Sequence, residues 1–96
     1  MTGRINVDTA VLRNSAGRLR ANRTALNTTN GKVKDNMSRM REIWQDDSNA
    51  ARETYVQKME NVTAQIENKL SPGIGSLADI LTSLANNIDQ WNATHK

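Results

Sequence analysis

Few residues in this 96-residue sequence are of the types that do chemistry, and their spacing suits little of it. The sole histidine, His95, stands one residue from the end, in a stretch (92–96) expected to fray. Cysteine is absent, which removes thiol nucleophiles, redox pairs and thiolate zinc sites together. Asp46 and Asp47 are adjacent carboxylates, but no third oxygen ligand follows at the spacing a cation loop needs. Gly73-Ile74-Gly75 has no strand before it, as a phosphate-binding glycine motif requires. An enzyme is therefore not expected, and neither a metal nor a cofactor is expected.

Basic side chains are the other candidates. Arg13, Arg18, Arg20, Arg23, Lys32, Lys34, Arg39 and Arg41 crowd the first half. Residues 1–44 hold nine Arg/Lys against three Asp/Glu, whereas residues 45–96 hold four against seven. A small basic helical protein that contacts nucleic-acid phosphates is one reading. At about 100° per residue, however, these positions spread around the helix, and no aromatic platform for bases accompanies them. A basic helix lying against an acidic one explains the same asymmetry.

The elements that would position these groups are helices. In the first half, Leu12, Ala16, Leu19, Arg23, Leu26, Asn30, Val33, Met37, Met40 and Trp44 recur at alternating steps of four and three. That is the seam of a helix packed at coiled-coil geometry. Asp8 is a suitable N-cap for it, and the spacing predicts a helix over about 9–44. Two seam positions are polar. Arg23 can lay its stem along the seam, while Asn30, beside Thr28, Thr29 and Gly31, marks either a bent spot or a register device.

The polar stretch 45–49 predicts a tight turn. A second row follows: Tyr55, Met59, Val62, Ile66, Leu70, Ile74, Leu77, Leu81, Leu84, Ile88 and Trp91. Its phase slips by one residue near Pro72, where a proline in a helix interior kinks or breaks it. The expected arm is a helix over about 50–70, a kink or break at 71–73 and a helix over about 74–91. The fold class expected is all-α: one helix–turn–helix hairpin domain over residues 1–96.

Only 36% of residues are apolar and 3% aromatic, so a hairpin of this composition has too few large side chains for a core of its own. Its pairing seam would consist of Leu12, Leu19, Leu26, Val33, Met37, Met40, Met59, Val62, Ile66, Leu77, Leu81, Leu84 and Ile88. Two such hairpins complete a four-helix bundle, so the chain is expected to pair with itself or with another helical protein. No run approaches the ~20 apolar residues of a membrane span, and the Met1–Asp8 stretch is not a Sec-type signal peptide.

Near one hundred residues, with Ile5-Asn6-Val7-Asp8 ahead of Leu12, Ala16 and Leu19, the chain resembles the small WXG (Trp-X-Gly) proteins of type VII, or ESX, secretion systems. Trp44 closes the first helix at mid-chain, where the family has its turn, and Tyr55 supplies an aromatic early in the second helix. The glycine of Trp-X-Gly is replaced by Asp46, and the family's C-terminal export signal has its nearest counterpart in Trp91 with His95. The likeness covers nearly the whole chain and is that of a divergent member, or of a helical partner of LXG toxins. It implies a non-catalytic substrate or escort, made in the bacterial cytoplasm and exported to the cell surface or medium without a signal peptide. It also implies a homodimer or a heterodimer with a sibling or with a toxin's N-terminal helices, recognition by the secretion ATPase, and a recognition surface at Trp44, Asp46 and Tyr55.

Overall fold

The structure is a computed structural model that describes residues 3–44 and 49–95. Its elements are α1 (Thr9–Ile43), α2 (Asn49–Gln65), a π-helical turn (Ile66–Leu70) and α3 (Ser71–Thr94), and no strand occurs among the described residues. The expected turn at 45–49 lies, apart from Asn49, outside the described residues. Asp8 caps α1 as its position suggested: its Oδ1 accepts the N–H of Ala10 at 3.0 Å and its carbonyl that of Val11 at 3.1 Å. At the other end the N–H of Trp44 still donates to the carbonyl of Met40 at 2.9 Å. Between them α1 stays α-helical through Thr28–Gly31. Asn30 is buried, and its Nδ2 donates to the carbonyl of Thr63 at 3.3 Å.

Of the kink or break expected at 71–73 in the second arm, the break is absent. Residues 71–73 are helical, and helical backbone runs without interruption from Asn49 to Thr94. The adjustment comes earlier, in the π turn, where the N–H of Ser71 reaches back five residues to the carbonyl of Ile66. Two features of the sequence require it. The apolar spacing Val62, Ile66, Leu70, Ile74 holds one residue too many for alternating steps of four and three, and a π turn absorbs one residue. Widening the helix just ahead of Pro72 also relieves the clash between the ring and the carbonyl four residues back. The frayed end expected at 92–96 is likewise displaced: α3 continues to Thr94.

The chain divides into two compact units. In one, the stretch ending at Arg23 folds against the stretch beginning at Gly73. Its two strands of helix are antiparallel, because Arg13 bonds Asn86 and Asp89 while Arg20 bonds Asp79 and Thr82. In the other, Thr24–Pro72, the pairings Asn30 with Thr63, Lys34 with Glu67, and Arg41 with Glu53 and Glu60 give the same sense. The core is thin. Among the described residues the buried apolar side chains are Ala16, Met37, Val56, Ala78, Ala85 and Ile88, and Val56 is the only large one fully enclosed.

Candidate pairing surface

In each unit the second arm carries three columns of residues, matched between the units by sequence spacing alone. The middle one, Met59, Ile66, Ile74, Leu81 and Ile88, is buried or half-buried. Three residues before each of these stand Val56, Thr63, Ser71, Ala78 and Ala85, all buried. One residue earlier again stand Tyr55, Val62, Leu70, Leu77 and Leu84, and Trp91 continues that spacing by seven. These six are between 44% and 58% exposed. The row expected to face inward is therefore split. Its Val62, Leu77 and Leu84 belong to an outer column, and the inner positions are taken by residues one step on that are mostly small.

The reason is steric and electrostatic together. Small side chains let a second helix approach closely, so Ala78 and Ala85 keep no exposed surface. Gly75 is buried for a related reason: the guanidinium of Arg23 lies over it, and a Cβ there would stand 2.6 Å from Nη1. This is how the polar seam position at Arg23 is accommodated. On the flank away from the outer column stand Glu53, Glu60 and Glu67 in one unit and Asp79 and Asp89 in the other, each meeting a basic residue of α1. Each unit is therefore two-sided, with ion pairs on one flank of its second arm and large apolar residues on the other. On α1 the predicted seam holds better: Met37 is buried, and Leu12, Leu19, Leu26, Val33 and Met40 are half-buried.

The ion pairs account for much of the basic cluster. Arg13 reaches Asp89 at 2.6 Å, Arg20 Asp79 at 3.0 Å, Lys34 Glu67 at 2.5 Å, and Arg41 both Glu53 at 3.2 Å and Glu60 at 2.8 Å. Exposed pairs contribute little to stability, so what they chiefly set is orientation. The hydrogen bond from Arg41 holds the Glu53 carboxyl below its ordinary range, and those from Arg13 and Thr9 do the same for Asp89. A lowered folded pKa gives stability that is present above the unfolded value and lost as pH falls through the folded one. The melting-temperature gap between the wild type and Asp89→Asn is therefore expected to be open at pH 7 and to close below about pH 4. A gap independent of pH between 7 and 2 would show that this pair does not discriminate folded from unfolded chain.

The other residues singled out in the sequence are dispersed. Trp44 is half-buried beyond the end of α1, and its carbonyl accepts from Arg52 Nη1 at 2.6 Å. Asp46 lies outside the described residues. Tyr55 is exposed, with the Lys58 ammonium 5.9 Å from its ring centre. Trp91 stacks on His95 with ring centres 3.7 Å apart, and its indole N–H donates to the carbonyl of Gly3. Beside it the Asn92 amide accepts the N–H of Ile5 at 2.8 Å and donates to the carbonyl of Ile5 at 3.0 Å. This amide, unremarkable in the sequence, ties the segment before α1 to the last turns of α3 and keeps those turns helical. Gly3 turns there with φ of +69°, the left-handed region that favours glycine.

Among the described residues no three metal-ligating side chains converge, and no helix is long and apolar enough to cross a membrane. Compared with protein-family models, curated proteins and solved structures, the chain gives no match.

Proposed function

We propose that this protein is a non-catalytic substrate or escort of a type VII secretion system that acts by pairing its helices with those of another chain in a four-helix bundle. The observation that carries the pairing is the outer column: Tyr55, Val62, Leu70, Leu77, Leu84 and Trp91 remain outside while Ala78 and Ala85 are buried. Side chains of this size gain roughly 1.5–3 kcal/mol each on full burial, so a helical surface that leaves a regular row of them half in water is built to be covered. The route of export rests on the sequence resemblance alone, in the placing of Trp44, Asp46 and Tyr55 at mid-chain and of Trp91 near the end. In this reading the chain is made in the cytoplasm, recognised by the secretion ATPase and passed out folded. Against the nucleic-acid reading stands that Arg13, Arg20, Lys34 and Arg41, half of the basic cluster, face carboxylates of the second arm.

A tagged chain expressed in its own host tests the export. It is expected in the culture medium or at the cell surface, and deleting the secretion ATPase is expected to confine it to the cells. Unchanged release after that deletion would overturn the secretion reading and leave the pairing surface to another role.

A further inference from the structure

We propose, independently of the pairing and secretion readings, that the C-terminal end of α3 is a binding site for an extended peptide segment of another protein. Residues 3–5 of this chain are its displaceable resident. The site lies within one unit and consists of Trp91, Asn92 and His95. Asn92 presents its carboxamide edge to Ile5: Oδ1 accepts the Ile5 N–H at 2.8 Å, and Nδ2 donates to the Ile5 carbonyl at 3.0 Å. A carboxamide carries a donor and an acceptor side by side, the same pair that a neighbouring strand offers an extended residue. Nearer the terminus, the Gly3 carbonyl accepts the Trp91 indole N–H.

The resident shows which ligands fit. Arg4, Ile5, Asn6 and Val7 are all exposed, so the site reads the main chain and accepts varied side chains there. At Gly3 it is selective. The φ of +69° disfavours any other L-residue by about tenfold. The edges of the Trp91 and His95 rings stand 3.9 and 3.8 Å from where a Cβ would be, so conformation rather than space is what selects. These rings are held from the helix side. They stack 3.7 Å apart, and His95 Nδ1 lies 2.8 Å from the Trp91 carbonyl and 2.9 Å from Thr94 Oγ1. The ligand class is therefore an extended segment with glycine two residues before the residue that Asn92 grips.

The same features make the resident replaceable. Its hold is these three hydrogen bonds at groups open to water, each favouring the bound state by roughly two- to tenfold. Apolar burial adds little, since Ile5 is 38% exposed. Only residues 6–8 separate Ile5 from the start of α1 at Thr9. So short a tether gives an effective concentration of about millimolar order, and an affinity too weak to join separate molecules still fills the site in cis. A segment brought to a similar local concentration by a partner held elsewhere on the chain displaces the resident and takes over the Asn92 amide and the Trp91 N–H.

NMR of the full chain tests this, because the Trp91 indole N–H and the Asn92 carboxamide each give a resolved resonance. Gly3→Val is expected to weaken the resident's hold about tenfold and to move both resonances. Acetyl-Thr-Gly-Arg-Ile-Asn-Val-Asp-amide, a copy of residues 2–8, is then expected to return them toward their wild-type positions. The expected dissociation constant is about 0.1–1 mM, the scale the tether supplies. The wild type is expected to bind the same peptide several-fold more weakly, because its own segment competes. A peptide with valine for the glycine, or Asn92→Ala added to the Gly3→Val chain and read at Trp91, is expected to weaken binding about tenfold. Circular dichroism confirms that each variant stays helical. Unmoved resonances in Gly3→Val would overturn the selection for glycine. No return at roughly 5 mM peptide, well above the tether's scale, would make the contact a fixed tie and overturn the site. Binding indifferent to Asn92→Ala would place the peptide elsewhere and overturn it too. Pairing and secretion survive each of these results.

Discussion

Asn30→Asp is expected to destabilise the protein by about 3 kcal/mol at pH 7 and by almost nothing at pH 3 relative to the wild type at the same pH. Asn30 keeps 4% of its surface exposed, and its Nδ2 donates to the Thr63 carbonyl at 3.3 Å. Aspartate has the same shape. Ionised, it has no proton to give and faces the carbonyl oxygen with a negative charge that water barely reaches. Burial of this kind raises a carboxyl pKa by several units, up to about 3–5 for a fully enclosed group. Each unit is worth 1.36 kcal/mol, so a rise of about two units gives the figure expected.

The sign follows from linkage. The folded pKa lies above the unfolded value of about 3.9, so the deficit is absent below that value, grows as pH rises through the interval and is constant above the folded pKa. In the protonated variant the hydroxyl donates to the Thr63 carbonyl as the amide did. At 4–8 °C per kcal/mol for a domain of this size, the variant is expected to melt roughly 15–20 °C lower at neutral pH. Thermal unfolding followed by circular dichroism at pH 3, 5 and 7 measures it. Equal melting temperatures at pH 7 would mean that water reaches position 30 and that the buried bond to Thr63 does not hold the register.

Position 30 also shows how much the sequence could tell. Periodicity was enough to place α1 to within a residue of its observed end, because its seam keeps alternating steps of four and three from Leu12 to Trp44. It also placed Asn30 in the seam. Whether a polar residue there bends the helix or finds a partner depends on what lies opposite, and Thr63 is 33 positions away.

The second arm was harder for a physical reason. Its apolar residues cover a wide arc, and the column Met59, Ile66, Ile74, Leu81, Ile88 belongs to a seam read with either neighbour. Size favoured Val62, Leu77 and Leu84, while packing put Thr63, Ala78 and Ala85 inside. A legible clue lay elsewhere: Glu53, Glu60 and Glu67 repeat every seven residues, as do Lys34 and Arg41. Carboxylates at that spacing mark the flank beside a basic helix, and the apolar column on the opposite flank then faces outward. The tie between Ile5 and Asn92 carried no signal of this kind. It joins backbone to a single amide at opposite ends of the chain.

Ala85→Leu is expected to cost about 1–3 kcal/mol, whereas Leu84→Ala, one residue away, costs much less when both are measured in the monomer. The expectation inverts what residue size suggests for a protein with so few large side chains. Ala85 has no exposed surface, and neither has Ala16. Bonds from Arg13 to Asn86 and from Arg20 to Thr82 put these two alanines at the same level of their unit. Two small residues facing each other allow the close approach that encloses both. A leucine at 85 needs room for three more carbons, and close-packed surroundings supply it only by parting the helices or forcing an unfavourable rotamer. Parting them also strains the bonds of Arg13 and Arg20, so the loss is shared along the unit. At position 84 the side chain is 45% exposed, and truncating it removes surface that is largely in water already. Total stability for a chain of this length is only about 5–14 kcal/mol, so the loss at 85 is a large part of it. Chemical denaturation of both variants at low protein concentration decides the matter. If Leu84→Ala proves the more damaging of the two, the inner and outer columns have been exchanged, and the residues that carry the pairing reading belong to the core.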